Sequence, residues 1–175
     1  MDFNTILRLL WLILPAYVAN GTPVIAAKII TVLNLKRHPI DFNKHFFDRK
    51  RIFGDNKSWE GFLTGLVLGI ITGFIQYYII EDDIYIYRGI VLSFGALIGD
   101  LIGAFIKRRL GIKPGKPLPV LDQILFIVIA ITFTQALNYL IISLIEFIYV
   151  IIITFILHIT TNFIAYLLKL KDVPW

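Results

Sequence analysis

GDNKSWEGFLTGLVLGIITGFIQYYII, residues 54–80, decides the fold of this chain. An acid, an amide, a lysine, a serine, a tryptophan and a second acid crowd together, and twenty residues without a charge follow. A hydrocarbon core of roughly 30 Å takes about 20 apolar helical residues, so Trp59–Ile80 reads as a membrane span with polar groups at its mouth.

The same ruler applied outward gives five spans. The first runs from about Phe3 to Leu33 and is expected to break at Asn20-Gly21-Thr22-Pro23. Another runs from about Tyr85 to Ile106. The apolar tract from Pro119 to Leu168 is too long for one crossing, and its turn is expected between Asn138 and Glu146. The fold class is therefore an all-α integral membrane protein, one membrane-embedded domain over residues 1–175 with loops at about 34–57 and 107–118. Composition agrees: 58% of the 175 residues are hydrophobic, and the mean hydropathy is +0.80, more apolar than a soluble domain needs. Without a short h-region and a small-residue cleavage site, the first apolar stretch reads as a retained span. Cysteine is absent, which excludes disulfides and thiolate metal sites.

Basic residues set the orientation. Eight lie between Lys28 and Lys57 and five between Lys107 and Lys116, and Lys169 and Lys171 follow the last span. Five crossings put all of these on one side, with Arg8, Arg88, Glu81, Asp82 and Asp83 on the other. The positive-inside rule then predicts an external N-terminus, a cytoplasmic C-terminus and cytoplasmic loops. Membrane topology accounts for the basic excess without nucleic acid.

Glycines at four-residue spacing (Gly61, Gly65, Gly69, Gly73, then Gly95, Gly99, Gly103) make ridges for close helix packing or the floor of a substrate groove. Asp100 lies inside the third span, where an ionised carboxylate is costly unless paired; it is either functional or bridged to Lys107 or Arg108. Asp122 opens the fourth span as a metal ligand or as a charge favoured by the helix dipole. Two aspartates flanking a loop with five cations suit magnesium, which prefers a few carboxylates plus phosphate oxygens. Lys107, Arg108 and Arg109 sit at the membrane surface, bound either to lipid headgroups or to substrate. The stiff turn Lys113-Pro114-Gly115-Lys116-Pro117 is placed to cap an anion above Asp100. His158 and Asn162 share a face of the last span and suit interhelical hydrogen bonding. No zinc spacing, Walker loop or nucleophile elbow occurs.

GDNKSWEGF resembles the Lys-Lys-Thr-Trp-Glu-Gly segment of the bacterial phosphatidate cytidylyltransferases, and GDLIGAFIKRRLGIKPGKPLPVLDQ is similar to their C-terminal signature. The shorter length, YVANGTPV, IDF and TTNFIAYLLKLKDVPW resemble the archaeal branch, the CDP-archaeol synthases. The resemblance implies CTP and 2,3-di-O-geranylgeranylglyceryl phosphate as substrates, CDP-archaeol and pyrophosphate as products, and Mg2+ held by Asp100 and Asp122. It places Lys57 and Ser58 at the family's lysine and hydroxyl. Where the bacterial signature carries a further aspartate this chain has Leu125, so the number of metal ions stays open.

With both substrates anionic, Lys57, Asn56 and Ser58 are expected to hold the β and γ phosphates, and Lys107, Arg108 or Arg109 the lipid phosphate. Lys116 is expected to cap the ligand. Asp55 serves as a metal or ribose contact or as a helix cap. Trp59 is an interfacial anchor. Glu60 is a favourable charge in a first helical turn. Alternatives are a cytidylyltransferase acting on diacyl lipids and a small transporter or scaffold, the latter disfavoured by the lack of an internal repeat. A homo-oligomer stays open.

Overall fold

The computed structural model describes residues 2–170 and Val173. Lys171 and most of the KDVPW ending used above lie outside them. Five helices make up the fold: α1 (Phe3–Val32), α2 (Trp59–Ile80), α3 (Ile84–Arg109), α4 (Leu121–Ala136) and α5 (Leu144–Leu167). Among the described residues there is no strand, only isolated bridges at Pro39–Ser58 and His45–Arg51.

Helices α1, α2, α3 and α5 are long and apolar enough to cross a bilayer. Helix α4 has 16 residues, short of a full crossing at 1.5 Å per residue. Pro117 and Pro119 precede it, and Asn138 at φ 60° follows it. The last tract turns where expected, over residues 137–143, and Ser143 and Glu146 form a reciprocal cap on α5. The central helix is α3, which contacts α1, α2 and α4, whereas α5 leans only on α4 and α1. Half of the apolar window of α3 is buried, against 11% for α5. The core gathers Leu9 and Ile13 of α1, Leu92 and Ala96 of α3, and Phe126, Ile127 and Ile131 of α4.

The expected break at Asn20-Gly21-Thr22-Pro23 does not occur; α1 is continuous through Pro15 and Pro23. A proline inside a helix strips the carbonyl four residues earlier of its partner, and α2 compensates at both places. The Gln76 amide donates to the Trp11 carbonyl below Pro15. Gly65 backs directly onto the Ala19 carbonyl below Pro23, where an added Cβ would sit 2.6 Å from the oxygen. That approach allows a Cα–H contact in place of the lost bond.

The other ridge glycines also serve packing. Cβ atoms built on Gly73, Gly95 and Gly99 would fall 2.7 Å from the Cα atoms of Gly89, Ala130 and Phe126 respectively. Only the bare backbone permits such approaches in lipid.

Candidate active site

The loop from Leu33 to Ser58 folds around one buried carboxylate. Asp41 is 4% exposed. It accepts from Arg51 Nη2 at 2.7 Å and Nε at 3.2 Å, and from the Gly54, Phe53 and Asn43 amides. Burial opposes its ionisation, yet the Arg51 guanidinium and the Gly54 and Phe53 amides outweigh that and hold its carboxyl well below the usual carboxylate range. Ile40 N–H donates to the Lys57 carbonyl and Trp59 N–H to the His38 carbonyl. These bonds fix the backbone on both sides of Lys57. Glu60 reaches back from the first turn of α2 to the His38 backbone N–H.

A second seam ties this loop to the end of α3. Lys50 Nζ donates to the Arg109 carbonyl at 2.9 Å, and Arg109 Nη2 donates to the Lys50 and Arg51 carbonyls. The Arg109 guanidinium also lies over the Phe105 and Phe46 rings, 4.7 and 5.0 Å from their centroids, and beside Asp48. Arg109 thus holds the loop through Nη2, while its Nε and Nη1 are buried without a hydrogen-bond partner.

Lys57 is thereby aimed into a narrow cleft at this end of the bundle, lined by Pro23, Arg37, Asn56, Lys57, Ser58 and Asp100 among others. Its ammonium meets both oxygens of Asp100, at 2.7 and 2.6 Å. Ser58 is the N-cap of α2, accepting from Gly61 N–H at 3.3 Å, and lies in the cleft wall. Asp55 is exposed and paired with Arg51 at 2.8 Å.

Asp122 lies at the same end of the bundle, outside the residues that line this cleft. Lys107 Nζ and the Leu118 N–H reach the same Asp122 oxygen, Oδ2, at 2.7 and 2.9 Å. The Leu121 N–H closes onto the Pro119 carbonyl around Val120 at φ 69° and ψ −53°. That is a tight, strained γ-turn for a β-branched residue, directly before Asp122. Gly95 packs on Ala130 and Gly99 on Phe126, so α3 and α4 run antiparallel. This register sets Asp122 beside Gly103, about 4.5 Å of helical rise from Asp100.

Arg108 is 7% exposed, and its Nε and Nη1 are buried without a hydrogen-bond partner. An added Cβ on Gly54 would lie 3.7 Å from its Nη1 and 3.4 Å from Pro114. The turn carrying Lys116 therefore sits over the Gly54–Lys57 segment, with Gly115 close to Asn56. Two residues outside the sequence reading belong to this region. Arg37 lines the cleft with a buried, unpartnered Nε, and Asp41 organises the loop. Arg37 was hidden among eight loop cations, and only IDF pointed toward Asp41. At the far side of the core, the His158 ring lies 6.2 Å from that of Phe126, away from the cleft residues.

Among the described residues no three His, Cys, Asp or Glu side chains gather. Two carboxylates, each holding a lysine ammonium here, fit an ion that takes few protein oxygens and completes its shell with water and phosphate.

Four apolar spans and a cleft in which an ammonium faces a carboxylate at one end of the bundle define a multi-pass membrane protein with a polar site at the mouth of its spans. The family model described as CarS-like, CDP-archaeol synthase, matches residues 3–175, and the chain belongs to that family. The CDP-archaeol synthase of Pyrobaculum islandicum is 44% identical, covering 100% of both chains. That of Thermofilum pendens is 41% identical over 98% of this chain and 82% of its own. A solved structure, described as an intramembrane enzyme for archaeal membrane lipids biosynthesis, superposes with a TM-score of 0.80. It is 33% identical and covers 89% of this chain and 93% of its own.

Proposed function

We propose that this protein transfers the cytidylyl group of CTP to 2,3-di-O-geranylgeranylglyceryl phosphate, releasing CDP-archaeol and pyrophosphate. Family membership supports the reaction. The observation that carries the site is Lys57 gripping Asp100 within a cleft where a polar loop meets apolar spans.

An oxygen of the lipid phosphate attacks the α-phosphorus of CTP. The bond from that phosphorus to the α–β bridging oxygen breaks, and pyrophosphate leaves with the electron pair. The nucleophile is already an anion, so no strong general base is needed. Asp100 and Asp122 would hold Mg2+, which when bound supplies positive charge against the phosphates. With two of its protons directed at Asp100, Lys57 keeps a third for a β or γ phosphate oxygen. Asn56 and Ser58 add neutral donors from the same wall, and Arg37 adds a charged one. Arg108, with two unfilled N–H groups beside Gly54, is the residue best placed to take the lipid phosphate. Lys107 supports it from Asp122, Lys116 closes the cleft from above, and Asp55 offers an acceptor for ribose hydroxyls at the rim. Arg109 acts through the loop it holds. Fixing two repelling anions in line is a large share of such catalysis.

Incubation of the purified protein with labelled CTP, magnesium and a panel of lipid phosphates tests this reading. Pyrophosphate release with the diether isoprenoid phosphate, well above that with a diacyl ester phosphate, is the expected result. A preference for the diacyl lipid would replace the substrate, and no release with any lipid would remove the activity.

The cleft is proposed to face the cytoplasm, because Lys28–Lys57 and Lys107–Lys116 carry thirteen of the seventeen basic residues. The absence of cysteine makes the test clean. A membrane-impermeant maleimide on intact cells should label Asp83→Cys and spare Lys44→Cys; the reverse pattern would invert the topology.

A further inference from the structure

At the end of the bundle opposite the cleft lies a second, larger and more open cavity. Its polar edge holds Arg8, Asp82, Arg88 and Asn138, and its apolar wall includes Leu12 and Ile141. Arg88 is the unusual member. It rises from the second turn of α3, about 18 Å of helix away from Asp100, and is 7% exposed. A guanidinium so placed in a membrane span is costly unless paired. Arg8 is paired, with Glu146. Arg88 makes no salt bridge among the described residues.

It is nevertheless held firmly. Nε donates to the Tyr139 carbonyl at 2.8 Å, and the guanidinium lies over the Tyr85 ring, 4.5 Å from its centroid. The Tyr139 ring is stacked on Tyr87. Anchoring the Tyr139 backbone accounts for Nε alone, and a lysine or glutamine could do as much. Nη1 is buried without a partner. The result is a fixed cation with one buried, unfilled N–H group beside an apolar wall, at the end of the bundle where α3 begins.

We propose that this cavity binds a membrane phospholipid by its phosphate, in the leaflet opposite the catalytic cleft. Arg88 Nη1 meets a phosphate oxygen, a charge-assisted bond that satisfies its open donor. Leu12 and Ile141 accompany the first carbons of the chains. Asp82 at the rim accepts from a headgroup hydroxyl or ammonium, which favours a phosphodiester carrying such a group over a bare phosphate.

A phosphodiester lipid separates this site from the catalytic one, because it has no phosphomonoester to receive a cytidylyl group. Native mass spectrometry of the purified protein with dioctanoyl phosphatidylglycerol should show one retained lipid. Arg88→Gln and, separately, Ile141→Asp should each lower that occupancy about tenfold, the size of one charge-assisted contact. Ile141 is 86% exposed, so the second variant adds a repelling carboxylate at the mouth without disturbing the core. Lys57→Ala should leave the occupancy unchanged. Unchanged occupancy in both cavity variants would overturn the proposal. So would displacement of the lipid by an equal concentration of inorganic phosphate, which would make the ligand a free anion.

Discussion

Two lysine–aspartate pairs stand at the same end of this bundle, and they are built differently. Lys57 comes from a distant loop and covers both oxygens of Asp100. Lys107 comes from the helix next to Asp122 and shares a single oxygen with the Leu118 amide. The first pair lines the cleft, and neither residue of the second is part of that lining. An ammonium on both oxygens must give way, at least in part, before Asp100 can take another cation, whereas Asp122 keeps one oxygen clear of Lys107. The two acids have the same chemistry, but one is guarded and the other is open.

Removing the acids should give the largest effects. Asp100→Asn and Asp122→Asn are each expected to lower cytidylyl transfer by roughly 10³-fold or more while the protein stays folded in detergent. Near-normal turnover in either variant would remove that acid from the site and end the comparison.

The lysines come next and should separate the pairs. Lys57→Ala should cost about 10²-fold in kcat/KM for CTP, with a much smaller change for the lipid, because its free proton faces the triphosphate. Lys107→Ala should cost only about tenfold, since the Leu118 amide still orients Asp122. Equal losses for CTP and lipid in the Lys57 variant would refute its assigned role.

Positioning effects should be smaller and should appear in stability. Asp41→Asn leaves Arg51 without its buried partner, a loss of about 3 kcal/mol, read as a lower unfolding temperature in detergent. The folded carboxyl titrates below its unfolded value of about 3.9, so its stabilisation is present above that pH and is lost as pH falls below it. The variant should flatten that acid limb. A wild-type acid limb in the variant would mean that Asp41 is not the organiser of the loop. Arg109→Lys should lower transfer a few-fold and loosen residues 46–51 to proteolysis, because an ammonium cannot reproduce the planar contacts with Phe46 and Phe105.

The polar ends of the bundle were legible in the chain to different degrees. Asp100 stood out because a carboxylate inside a span is expensive wherever its partners lie. Its partner did not: Lys107 and Arg108 were the neighbours in sequence, and the loop delivered Lys57 instead. Arg108 and Arg109 are adjacent and looked equivalent, and each keeps Nε and Nη1 without a hydrogen-bond partner; what separates them is that Arg109 alone meets the loop carbonyls, Asp48 and two aromatic rings. Pro23 suggested a broken helix because the sequence of α1 cannot show that α2 covers the exposed carbonyl.

The sequence by itself determined the five apolar segments, their charged flanks and the family, because hydropathy and motif chemistry are properties of contiguous residues. Tertiary structure alone decided which lysine meets which acid, which arginine holds the loop, and how α1 survives two prolines. Those outcomes depend on the register between helices, set where bare glycine backbones touch, and a shift of one turn would exchange every partner.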